Sequence, residues 1–183
     1  MRRLAALAVP VLAVLAACSG EQQPPAQTST QSSAQPPSTA PAPPPPVAAP
    51  PLPQPVTDGR CPYLATAVVE QANAQRVSRV RLSADKPHPA CFFLRGDGTT
   101  QLSVRVFVGE PPVAKAVVDQ AAPIATSNPE ETPAGWKGGS QTTNGGAVYA
   151  VAKGGTAVVV STNQGQTIKA RRIVEQIVST LRL

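Results

Sequence analysis

Thirteen of the chain's 22 prolines fall between Pro24 and Pro55, four of them consecutively at Pro43 to Pro46. Proline fixes φ and carries no N–H, so a run this dense can build neither a helix nor the interior of a sheet. Its companions from Glu21 to Thr57 are mainly Gln, Ser, Thr and Ala, and Glu21 is the only charge there. So little apolar surface cannot offset the entropy of ordering the segment, which predicts an unfolded spacer of polyproline II character. At ~3.1 Å per residue the spacer would reach about 115 Å when fully extended. The same composition also suits a PxxP ligand or a mucin-like O-glycosylated stretch. A cooperative fold is expected only beyond it, from Asp58 to Leu183, an ordinary length for one domain.

On the other side of the spacer, Arg2 and Arg3 precede an apolar run from Leu4 to Ala17, broken only by Pro10. A basic start, a short apolar region and a small-residue end predict a secretory signal over residues 1–17. The run falls short of the roughly 20 residues that span a bilayer. Leu15, Ala16, Ala17 and Cys18 resemble the bacterial lipobox. That resemblance implies cleavage before Cys18, diacylation of its thiol and partnership with the membrane through the diacylglyceryl group. Two acyl chains at about 0.8 kcal/mol per methylene give stable anchorage where one is marginal. The expected address is the extracytoplasmic face of the cell membrane. A plain signal with a coincidental cysteine is the alternative.

Export places the chain in an oxidising compartment, where Cys61 and Cys91 read together as a disulfide. It would close a loop of about 30 residues, worth roughly 3–4 kcal/mol in the chain-entropy model. A metal site is the alternative, but His88 is the only histidine and no paired-cysteine motif accompanies it. Loss of Arg2 and Arg3 with the signal lowers the formal charge from +6 to +4. The remaining surplus is dispersed, and with export it argues against a nucleic-acid partner.

Within 58–183, residues 61–76 predict a helix, with Leu64, Ala67, Val68, Gln71 and Ala72 on one face. Residues 77–84 alternate as a strand with Val80 and Leu82 on one side and Arg79 and Arg81 on the other. Residues 90–94 and 99–108 flank Gly96-Asp97-Gly98 as a hairpin. Pro111 and Pro112 open a second helix, 113–122, and a long polar loop follows to Gly135. Strands are expected at 136–142, 147–152 and 156–161, joined by Asn144-Gly145-Gly146 and Lys153-Gly154-Gly155. Ala170, Ile173, Val174, Ile177, Val178 and Leu181 form the apolar stripe of a last helix. The order α-β-β-β-α-β-β-β-α with short connections predicts an α+β fold, a mainly antiparallel sheet flanked by helices.

The motifs CPYL at 61–64, PACFF at 89–93, AAPI at 121–124, GW at 135–136, GAVYAVAK at 146–153 and VVVSTNQ at 158–164 resemble an actinobacterial lipoprotein family, that of the domain of unknown function 2020. The resemblance implies secreted or lipid-anchored proteins, pairing of Cys61 with Cys91, and no established activity. The arrangement is also similar to the Mog1/PsbP-like sandwich, an analogy at the level of fold alone.

Chemistry leaves few marks. The acids are scattered except for Glu130-Glu131, and no Gly-x-Ser-x-Gly elbow, phosphate loop or zinc signature occurs. No catalytic residue, metal or cofactor is therefore assigned, and the chain is not expected to be an enzyme. Arg95-Gly96-Asp97 spells an adhesion tripeptide, although Gly-Asp-Gly is sufficient reason for a turn. Arg79, Arg81 and Arg105 would form a basic patch if their strands were neighbours. Trp136 either lines a cleft or caps the core. These four residues are the tentative ligand-binding set. The resulting expectation is an anchored binding domain for a lipid or glycan, with a pocketless partner of an envelope protein as the alternative.

Overall fold

The computed structural model describes residues 47–183; the signal segment 1–17, Cys18 and the spacer up to residue 46 lie outside the described residues. The elements run β1 Thr57–Asp58, α1 Thr66–Asn73, β2 Arg79–Leu82, β3 Cys91–Leu94, β4 Thr100–Val108, α2 Pro111–Ala121, β5 Asn128–Glu131, β6 Lys137–Thr143, β7 Gly146–Lys153, β8 Thr156–Thr162 and α3 Thr167–Leu181. The strands form one antiparallel sheet in the order β1-β2-β3-β4-β8-β7-β6-β5. This is the expected α+β architecture with two short edge strands, β1 and β5, added to the predicted order. Among the described residues no helix is long and apolar enough to cross a membrane.

Alternation in the central strands supplies two cores. Val158 and Val160 of β8, Leu102, Val104 and Val106 of β4, and Tyr149 and Val151 of β7 face α1 and α3. The intervening Ala157, Val159 and Ala150 pack with Ala114, Val117 and Val118 of α2 on the opposite face. In α3 the predicted stripe holds: Ala170, Ile173, Val174 and Ile177 are buried. Each such side chain contributes roughly 1.5–3 kcal/mol by leaving water.

Helix α1 starts later than predicted, and the predicted face is only partly kept: Leu64, just ahead of the helix, and Val68 and Ala72 pack on the core. Val69 and Asn73 are buried, whereas Ala67 and Gln71 face solvent. The reason is polar: the Asn73 amide donates to the Gln101 carbonyl at 3.2 Å, and its oxygen accepts from the Thr162 hydroxyl at 3.0 Å. Those bonds pin the end of α1 to the ends of β4 and β8, and a buried amide is kept only where such partners exist.

Ahead of α1, Cys61 is bonded to Cys91, with their Cα atoms 5.7 Å apart. That excludes the metal alternative for this pair. The hairpin at 95–99 uses Arg95 and Asp97 on each other and on Thr99, so the adhesion tripeptide spends its charges inside its own turn. Hydrogen bonds from the Thr99 hydroxyl and amide, then Arg95, hold the Asp97 carboxyl at about 2.

Residues 47–57, assigned to the spacer on composition, run along the α2 side of the sheet instead. Ala49 packs against the α2 core, the Val56 amide donates to Leu82 at 2.9 Å, and Thr57–Asp58 pair with β2. Four prolines stiffen the stretch 50–55, so ordering it costs less entropy than its composition suggests.

The disulfide ties the entry to α1 to the buried first residue of β3, Cys91. Replacing both cysteines by alanine is expected to cost about 3 kcal/mol and to lower Tm by on the order of 10 °C. Calorimetry of the oxidised parent and the double variant reads this directly, and an unchanged Tm would refute it.

Candidate functional site

Two depressions on opposite faces of the sheet hold two of the four candidate ligand-binding residues, Trp136 and Arg105. The first lies between α3 and strands β6 and β7. Thr132 donates its amide to the Trp136 carbonyl at 2.9 Å and closes the β5–β6 turn, which Gly135 allows with φ +82°. The turn delivers Trp136 onto the core face at the start of β6, where it is 3 % exposed. Trp136 thus fills both roles considered for it. It belongs to the larger core, and with Val151, Val174 and Val178 it walls a groove of about 340 Å³. Its Nε1–H is buried with no acceptor among the described residues.

Tyr149, which lines the groove, leads into a polar network that short-range sequence patterns do not reveal. Glu130 on β5 accepts from the Ser140 hydroxyl at 2.7 Å and from the Tyr149 phenol at 3.4 Å. The neighbouring Glu131 is exposed and turns to Lys137 at 3.1 Å. At the rim, Arg171 and Glu175 pair one helical turn apart at 2.9 Å. An Asn-Pro-Glu-Glu sequence carries no strand signature, because its proline is tolerated only at a sheet edge. Glu130 could be assigned to the site only once β5 had been seen to pair.

The second depression, about 300 Å³, lies on the α2 face beneath residues 52–55. Arg105 borders it, donating to the carbonyl of Pro51 at 3.2 Å and of Pro50 at 3.5 Å. Burial pulls its pKa below the ordinary arginine value. The expected triad of arginines does not assemble as a free patch. Strand β3 separates β2 from β4, and Arg79 and Arg81 turn to Asp58 at 3.8 and 3.6 Å. A third groove, about 480 Å³, lies between α2 and β6. Its charged groups pair with other surface charges, Lys115 with Asp119 and Lys137 with Glu131.

Residues 46–183 match the family model described as Domain of unknown function (DUF2020). The chain belongs to that family. The match includes residues 47–57, so that stretch is part of the DUF2020 unit in sequence as in structure. No curated protein matches the chain.

Among the described residues no three His, Cys, Asp or Glu side chains gather where they could hold a metal ion. The most perturbed groups of the DUF2020 domain are two phenols. Burial first, then the Glu130 carboxylate, pushes Tyr149 up to about 12; burial first, then Asp85, raises Tyr63 as well. An unfolded tyrosine ionises near 10. Both phenols therefore contribute stability that is complete below about pH 10 and is lost as pH rises toward about 12. Urea unfolding between pH 9 and 12 should show this fall, and Tyr149→Phe should remove part of it. An equally steep fall in the variant would exclude Tyr149 as a source.

Proposed function

We propose that this protein is a membrane-anchored envelope lipoprotein whose C-terminal domain is a non-enzymatic binding module, carrying a lipid or glycan in the groove beside Trp136. The groove itself carries the reading: its walls are apolar, and the Tyr149 phenol and the Arg171–Glu175 pair supply a few polar groups to its lining. Ligand sites have this composition, a mostly hydrophobic lining with a few placed polar groups. The apolar lining favours one acyl chain or another apolar group over a bare sugar.

Anchorage is supported by the lipobox-like residues before Cys18 and by the proline-rich spacer between Cys18 and the domain. A diacylated Cys18 with a spacer of that length would leave the groove free above the membrane surface.

Native mass spectrometry of the chain from Ser19 to Leu183, secreted and purified without detergent, tests the carrier. A reproducible added mass that is released on denaturation, and is lost in Trp136→Ala, is expected. A bare mass under the same conditions would turn the reading to a protein-interaction accessory.

The anchor has its own test. The full chain expressed in a lipoprotein-processing host should partition into membranes and incorporate an alkyne-labelled fatty acid, and Cys18→Ser should do neither. Labelling of the variant, or absence of label from the parent chain, would refute acylation at Cys18.

A further inference from the structure

Two small residues stand in an otherwise bulky row on the α2 face. Phe92 of β3 pairs with Ser103 of β4, and Ser103 pairs with Ser161 of β8. A valine at either serine position would fill the layer; the serines leave it low. Residues 52–55 cross above without filling the space, and the cavity of about 300 Å³ results. It has room for about ten groups of water size, taking ~30 Å³ for each.

The cavity joins apolar walls, Phe92, Val117 and Val159, to one cation, Arg105. None of the ion pairs among the described residues includes Arg105. Asp85, whose field reaches it, accepts instead from Ser83 at 2.6 Å. The guanidinium is left with two peptide carbonyls of the proline segment, at 3.2 and 3.5 Å. Neutral acceptors at that range are weak partners for a partly desolvated cation. A carboxylate offers a planar bidentate match roughly twice as strong per hydrogen bond.

We infer that this cavity is a second binding site, taking a single-chain anionic amphiphile with its carboxylate on Arg105 and its chain along Phe92, Val117 and Val159 under the proline segment. The segment 47–57 then acts as the cover of the site: the carbonyls of Pro50 and Pro51 hold the guanidinium until the anion replaces them. The inference is independent of the Trp136 groove, which lies on the opposite face of the sheet.

The test uses dodecanoate and dodecan-1-ol, at concentrations where both are monomeric, with the chain from Ser19 to Leu183. Titration calorimetry should give dodecanoate at least tenfold tighter binding than the alcohol. Arg105→Gln should reduce that preference to about twofold or less, while Arg79→Gln, an equal change in charge on the same face, leaves it intact. Intermolecular NOEs from the acyl methylenes should reach Phe92 and Val117. Equal affinity for acid and alcohol in the parent protein, which needs no variant to fold, would overturn the proposal. So would NOEs to Val174 and Val178 in place of Phe92 and Val117, which would move the ligand to the Trp136 groove.

Discussion

The pairing of β4 with β8 is the contact on which the rest of the domain depends. Seven residue pairs, from Leu102 with Thr162 to Val108 with Thr156, join the two halves of the sheet. Alternate residues of both strands feed two separate cores, one under α1 and α3 and one under α2. A slip of one residue would exchange every side chain between faces. Here that would drive Arg105 into the α3 core and lift Val104 and Val106 out of it. The buried bonds of Asn73 with Gln101 and Thr162 fasten one end of the pair, so the register is held by polar matching as well as by packing.

From that register follows the inequality of the two faces. The α3 face is crossed by a helix with a full apolar stripe, and its open space lies only at the margin, where Trp136 and the β5–β6 turn stand beside α3. On the α2 face a shorter helix covers β7 and β8 but leaves β2 and β3 bare. The proline-rich stretch from residue 47 lies across this uncovered part and becomes structural at its C-terminal end. The disulfide holds the next few residues against β3, so the path from cover to α1 is fixed at both ends.

Much of this was legible from local patterns. The apolar stripe of α3, the Gly-Asp-Gly hairpin, the proline-opened α2 and the three glycine-punctuated strands β6 to β8 all announce themselves through short-range periodicity and turn chemistry. The exceptions share one cause. The Asn128–Glu131 strand exists because β6 offers it an edge. The stretch 47–57 is ordered because β2 and the α2 core receive it. Asn73 faces inward because Gln101 and Thr162, distant in sequence, bond to its amide. Each is decided by a partner far along the chain, and no window of neighbouring residues contains that partner.

The candidate sites divide in the same way. Trp136 could be singled out from sequence because it is the sole tryptophan and stands beside glycines; Glu130, which accepts from the Tyr149 phenol, could not, since an edge strand brings those two together. The three arginines were marked by alternation, but their fates differ because β3 inserts between β2 and β4. The sequence by itself determined the α+β class, the helix and hairpin positions and the pairing expected of Cys61 and Cys91. Those features rest on backbone propensity, side-chain period and compartment. Only the tertiary structure decided where space was left. A cavity is the difference between the volume enclosed by packed elements and the volume of the side chains placed in it, and that difference exists only once the elements have met.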